Sequence, residues 1–200
     1  NKSVPSLLTT GEVETLFHEF GHGLHSLLTE AKYATHSGTN VVWDFVEMPS
    51  QIMEQWVTEP QILKSLGKHY KTGAPMPSEL INKIVNANKL FQSVFYTKQS
   101  IQALLDLDLY TGVTTDPVKH FHSLMSQYML PESKGVLFAS RFSHIVGGYD
   151  AGYYSYLWAE RLAHDAFSIF KEGGLSNKTI GARYRKEILS RGGSREEKES

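Results

Sequence analysis

The sequence predicts a mainly α-helical chain, and three observations carry the prediction. Apolar residues recur at spacings of three and four along most of the 200 residues. Hydroxyl, acidic or proline residues stand where those periodic runs begin, and a glycine pair stands where the longest of the later ones stops. Only Tyr33–Val42 is dense in β-branched and turn residues.

The first helix runs from Thr10 to about Glu30, with Val13, Leu16, Phe17, Phe20, Leu24, Leu27 and Leu28 on its apolar stripe. Thr9 or Thr10, followed by Glu12 and Glu14, makes its N-terminus, although Thr10 with Val13 is no capping box. Tyr33–Val42 reads as a short strand or loop that bends at Ser37-Gly38. Asp44 reads as the N-cap of a second helix, Phe45 to about Val57. Lys68–Glu79 (KHYKTGAPMPSE) is a loop, and its Pro77-Ser78 starts a helix at about Glu79–Asn88. Further helices are expected at Phe91–Leu109 and His120–Met129, and a long one at Ala151–Glu172, closed by Gly173-Gly174. The tail Ser190–Ser200 (SRGGSREEKES) is charged and expected to fray. There is no internal repeat and no obvious linker.

Twenty Lys+Arg against 21 Asp+Glu leave a net charge of −1, which provides no basic field for nucleic acid or an anionic membrane surface. No apolar run reaches the roughly 18–20 residues that span a bilayer. Cysteine is absent, which excludes disulfides and thiolate metal sites and fits a cytoplasmic setting. Asn1 is not a natural start and the first residues are no signal peptide, so the chain is expected to be a piece of a longer one.

The chemistry concentrates in Leu16–His25, LFHEFGHGLH. His18-Glu19-x-x-His22 sets two imidazoles one turn apart on one helix face, a spacing that suits Zn²⁺. Glu19 is rotated by about 100° from His18, so it can reach a metal-activated water as general base without binding the metal. Two surface histidines on an amphipathic helix are the plain alternative; the apolar flanks Leu16-Phe17 and Phe20 argue for a cleft instead. A catalytic zinc takes a third protein ligand and keeps one position open. His25 shares the stripe but lies about 10 Å along the axis from His18, too far for joint coordination on a rigid helix. The better candidate is Glu47, because the intervening segment lets the chain fold back. Asp44-x-x-Glu47 is also the spacing of a capping pair, an alternative that spacing leaves open.

A second stretch, His144–Trp158 (HIVGGYDAGYYSYLW), combines glycines at 147, 148 and 152 with four tyrosines. The glycines permit positive φ or close backbone approach, as a loop that grips substrate would need. Tyrosine hydroxyls and a histidine can donate hydrogen bonds to an oxyanion. Tyr149, Tyr153 and Tyr156 are also spaced as a core aromatic stripe, and on spacing alone that reading is favoured. His36, His69, His120, His122 and His164 have no partners at ligand spacing, and Arg141 and Arg161 read as solvated salt bridges.

HEFGH followed by SGTNVVWDFVEMPSQ resembles the thimet oligopeptidase family of zinc metallopeptidases, in its bacterial oligopeptidase and peptidyl-dipeptidase branch. HYKTGAPMP, HIVGGYDAGYYSYLW and ILSRGGS match in the same order, so the resemblance spans almost the whole chain. It implies a zincin-like helical catalytic subdomain, with a short strand or loop between two zinc-ligand helices. Residues 1–200 would then be a fragment of a catalytic domain: zinc-site helices at about 10–57, a helical bundle at about 79–140, and a substrate loop and helix at about 144–172. It also implies one Zn²⁺ per chain held by His18, His22 and Glu47. His144, Tyr153 and Tyr156 would stabilise the oxyanion, Tyr149, Gly147 and Gly148 would bind substrate, and Tyr154 is left as packing. The partners are short peptides, with no nucleic acid, no membrane, and self-association of the fragment through apolar faces. The activity implied is hydrolysis of short oligopeptides by a metal-activated water. The alternatives are a truncated, inactive zinc- or peptide-binding fragment and, ranked below it, a thermolysin-like peptidase.

Overall fold

A computed structural model describes residues 5–130, 135 and 137–195. The chain is mainly helical, as its periodicity predicts, and the described residues contain no strand, only an isolated bridge between Lys68 and Pro75. The helices are α1 (Thr10–Leu27), α2 (Trp43–Val46), α3 (Met48–Val57), α4 (Pro60–Leu66), α5 (Ser78–Tyr110), α6 (Pro117–Tyr128), α7 (Phe138–Arg141), α8 (Ser155–Gly173) and α9 (Lys178–Tyr184). None of them is long and apolar enough to cross a membrane. The contacts divide the chain into two compact units, one formed by residues up to Leu90 with those from Ala159 onward, the other by Phe91–Trp158.

In the first unit, α1 begins with a capping box. Thr9 Oγ1 accepts from the Glu12 amide at 3.3 Å, and Glu12 Oε2 accepts from the Thr9 amide at 2.7 Å. Thr9, not Thr10, is therefore the cap. Tyr33–Val42 is a loop with one short 3₁₀ turn, Ala34–His36, rather than a strand. The expected helix Phe45–Val57 is broken in two. α2 starts from Val42 with no side-chain cap bond, so Asp44 sits inside its first turn rather than at the cap. Glu47 stands at the break, just ahead of Pro49 in the first turn of α3. Proline lacks the N–H that a continuous helix would need and crowds the preceding turn, which accounts for the break.

Gly21 decides how closely α1 meets α3. A Cβ on Gly21 would lie 2.3 Å from the Pro49 carbonyl oxygen and 2.5 Å from Ser50 Cα, both rigid backbone. The core beneath is formed by Phe45, Met48, Ile52, Ala159, Ala163, Phe167 and Phe170, with Trp56 edge-on to both phenylalanines at 4.7 and 4.9 Å. Gly21→Ala should push the two helices apart and lower stability by about 1–3 kcal/mol, the usual range for overpacking. Chemical denaturation of wild type and variant tests this, and an unchanged midpoint would mean that the helices can slide to absorb a methyl group.

The tail is better ordered than its charge suggests. Ser190 accepts a hydrogen bond from the Glu30 amide at 2.8 Å. Gly192, at φ +51°, packs against the 36–40 loop so tightly that a Cβ would lie 2.0 Å from the His36 carbonyl oxygen. The expected fraying therefore does not hold through Arg195, and residues 196–200 lie outside the described part.

Two expected helices, Glu79–Asn88 and Phe91–Leu109, are one continuous helix, α5. Neither glycine nor proline interrupts Ser78–Tyr110, and a shift in the phase of apolar residues does not by itself stop a helix. In the second unit, α6 is capped by Asp116, which accepts from the Lys119 amide at 3.0 Å and is followed by Pro117. That starts the helix three residues earlier than expected. The core here is formed by Ile101, Leu105, Phe121, Leu124, Met125, Phe142, Ile145 and Tyr153. α8 begins at Ser155 rather than at Ala151, whose φ of +59° places it in a turn, and Gly174 ends the run at φ +104°.

Candidate metal centre and tyrosine cluster

His18 and His22 project from the same face of α1, their rings edge to face at 4.9 Å. The break before α3 turns Glu47 toward them: its Oε2 lies 3.2 Å from His18 Nε2 and 3.1 Å from His22 Nε2. Glu47 is only 1% exposed, and the Ser50 hydroxyl lies 2.9 Å from the same Oε2. Two imidazole nitrogens and a carboxylate oxygen thus face one point, and this group could hold a metal ion.

A residue outside the sequence reading completes the surroundings of His18. Glu54, two turns along α3 from Glu47, brings Oε1 to 2.5 Å from His18 Nδ1. Burial works against a charge on His18, but the carboxylates of Glu47 and Glu54 overcome it and push its pKa up to about 10. The pKa of Glu14 is raised as well: burial is the main cause, and the nearby Glu54 and Glu160 carboxylates add to the rise against the opposing pull of His18. The i+7 spacing of Glu47 and Glu54 was the available signal for the second carboxylate, because it places both near one face of a helix.

Glu19 is exposed on α1, sharing its open side with Leu16 and Phe20, which are 56% and 54% exposed. The apolar flanks therefore do not close over the motif within this chain as expected. His25 is fully buried and lies outside the His18, His22 and Glu47 group. Neither of its ring nitrogens has a hydrogen-bond partner among the described residues. Burial, with His22 nearby, pulls its pKa down to about 4.

The consequence for stability has a definite sign. An unfolded histidine binds its proton near pH 6.5, whereas folded His25 resists it until about pH 4, so folding loses stability as pH falls through that window. The full loss from His25 is about 3 kcal/mol. Urea unfolding of metal-free chain at pH 7 and pH 4.5 should show a drop that shrinks in His25→Leu. Equal drops in both proteins would remove His25 as the cause.

In the second unit, His144, Tyr149, Tyr153 and Tyr156 converge. His144 lies 5.6, 5.3 and 5.9 Å from the three tyrosine rings, and Tyr149 stacks on Tyr156 at 5.0 Å. Gly148 has φ +106°, and Gly147 packs its backbone close to the Ser143 carbonyl. Tyr153 is buried, and its hydroxyl donates to Gln102 Oε1 at 2.8 Å, so this tyrosine serves the core rather than standing open to a substrate. Burial pushes its pKa up to about 12. Tyr154, expected to pack, is instead exposed. The turn leading into α8 is held by Asp106 of α5, which sequence reading passed over. Its Oδ1 accepts from the Ala151 amide and its Oδ2 from the Tyr153 amide, each at 3.0 Å. An acid set among the apolar residues of IQALLDLDLY, which carries Asp106 and Asp108, was the signal.

The chain is thus mainly helical and gathers two imidazoles from one helix and a carboxylate from the start of another around a single point, a group that could hold a metal ion. The chain belongs to Peptidase family M3, whose sequence pattern matches residues 1–200. It is 44% identical over 199 residues to Oligopeptidase A of Escherichia coli (strain K12), covering 96% of this chain and 29% of that relative. It is 42% identical over 197 residues to Dipeptidyl carboxypeptidase of the same organism, covering 95% of this chain and 29% of the relative. It is also 42% identical over 205 residues to the Organellar oligopeptidase A, chloroplastic/mitochondrial, of Arabidopsis thaliana, covering 96% and 26%. The chain thus spans less than a third of the length of these relatives.

Proposed function

We propose that this chain carries the chemical centre of a zinc-dependent peptidase that hydrolyses short oligopeptides. The observation that carries the reading is the convergence of His18, His22 and Glu47 in a chain of Peptidase family M3. The donor set suits zinc. Ligand atoms of a tetrahedral Zn²⁺ site stand about 3.3 Å apart for bond lengths near 2.0–2.1 Å, close to the separations on either side of Glu47 Oε2. His18, His22 and Glu47 would hold one ion, which when bound lowers the pKa of water and polarises a carbonyl. Substrates with the character of short peptides are inferred from relatives named for oligopeptide and dipeptidyl cleavage.

Glu19 takes a proton from the attacking water and returns it to the leaving amine, a role its position beside His18 and its exposure on α1 both allow. Tyr156 and His144 donate to the developing oxyanion, while Tyr153 packs against both rings and takes a part in binding only if its hydroxyl leaves Gln102. Tyr149, Gly147 and Gly148 contact the substrate backbone. Glu54 accepts the Nδ1 proton of His18, which fixes the tautomer that presents Nε2 to the metal.

The deciding experiment is hydrolysis of a quenched oligopeptide by zinc-loaded chain, followed by chelation and zinc restoration. Activity that disappears and returns supports the reading; zinc binding without hydrolysis would leave a metal- or peptide-binding module. Glu54→Gln should weaken zinc binding about 10–100-fold, the usual effect of losing such a partner, with little change in far-UV circular dichroism. Competition with a chromophoric chelator measures it, and an affinity equal to wild type would show that His18 keeps its orientation unaided.

A further inference from the structure

One face of α5 holds both ends of the tyrosine-rich segment. Gln102, Asp106 and Tyr110 follow at intervals of four, so they lie along one side of the helix. Tyr110 donates from its hydroxyl to the Ile145 carbonyl, at the start of the segment. Asp106 takes the amides of Ala151 and Tyr153 at its end, and Gln102 takes the Tyr153 hydroxyl. Between these anchors, Val146, Gly147, Gly148 and Asp150 are exposed, and Gly148 is left-handed.

Asp106 is the strongest of the three. It is completely buried, and its two oxygens are each matched to a backbone amide on either side of Gly152. A buried carboxylate is expensive to keep unless its hydrogen bonds are made, so the turn is held in the conformation that supplies those two amides. That conformation includes Ala151 at φ +59°, an unfavourable state for a residue with a Cβ, and it directs the chain into α8 with Tyr153 and Tyr156 facing His144. Both oxygens of this carboxylate thus accept from amides of the segment.

We propose that Asp106 is the positioning residue of the tyrosine segment: it fixes the turn that sets His144, Tyr149, Tyr153 and Tyr156 as one cluster, beside the exposed Val146, Gly147 and Gly148. The catalytic part of this statement rests on the peptidase reading above; the anchoring part does not.

The test uses Asp106→Ala and Asp106→Asn, with two independent readouts. Amide hydrogen exchange by NMR should speed up about tenfold or more at Ala151 and Tyr153 in Asp106→Ala, with α1 and α3 amides unchanged. Asp106→Asn keeps one acceptor and should preserve protection at one of the two amides, which also keeps the test open if the alanine variant fails to fold. On the quenched oligopeptide, kcat should fall about 100-fold with zinc content unchanged and KM within about twofold, as for a misplaced transition-state donor, and asparagine should restore part of it. Unchanged exchange at Ala151 and Tyr153 in both variants would overturn the anchoring. Faster exchange with undiminished kcat would overturn the positioning role. Absence of hydrolysis in wild type would instead count against the peptidase reading, while the exchange result would still decide whether Asp106 holds the turn.

Discussion

Glu19→Gln is expected to cut hydrolysis of a short peptide by about 10²–10⁴-fold, the range that general base catalysis supplies, while the bound zinc stays near wild-type level. The two halves of this expectation come from different parts of the structure. Glu19 does not belong to the His18, His22 and Glu47 group, so losing its charge removes no donor from it. Glutamine has nearly the same shape and keeps an acceptor oxygen, but it does not take up a proton at neutral pH. Exposure of Glu19 on α1 also means that the substitution leaves no buried polar atom stranded, and stability should be within about 0.5 kcal/mol of wild type. The measurement is kcat on a quenched peptide alongside metal content of the same preparation. A well-folded, zinc-loaded variant that still turns over would sink the assignment of Glu19 as base.

The reading from sequence succeeded where chemistry is local and fell short where it depends on the path of the chain. His18 and His22 lie four residues apart on one helix, so their common face follows from helical geometry alone. Glu47 was reachable only as the better of two candidates, because spacing does not say whether a carboxylate turns back to its own helix cap or across to α1. The break at Glu47, enforced by Pro49, and the close approach at Gly21 decide it, and each depends on contacts between elements distant in sequence. Glu54 and Asp106 went unnoticed for the same reason. Each is an acid on a helix whose partner lies 36 or about 45 residues away, and neither spacing belongs to a local motif. The tyrosines show the converse case. Their i, i+4, i+7 spacing suggested a helical stripe, yet Tyr149 and Tyr153 precede α8 and reach Tyr156 through a turn held by Asp106. Core packing and convergence on His144 turn out to coexist, with Tyr153 serving mostly the first.

Glu47→Ala is expected to abolish stoichiometric zinc binding, with near one zinc per wild-type chain and a small fraction of that in the variant after dialysis against trace zinc. Glu47 Oε2 is the atom shared by both imidazoles, at 3.2 and 3.1 Å, so its removal leaves two donors where a catalytic zinc takes three from protein. The metal-free protein should feel the loss as well. With Glu47 gone, His18 keeps only the Glu54 carboxylate to support its charge against burial. Breaking a buried pair of this kind costs about 3–5 kcal/mol, although here His18 is partly solvated and the cost should fall below that range. Two observations together would separate a ligand from a merely structural carboxylate: Glu47→Gln, which preserves volume and the Ser50 contact, should restore much of the lost stability but little of the zinc. Zinc that stays bound at full stoichiometry in both variants would hand the third position to another residue. His25, whose ring nitrogens have no hydrogen-bond partner among the described residues, would then be the first to examine, but it could reach the ion only if the last turn of α1 rearranged.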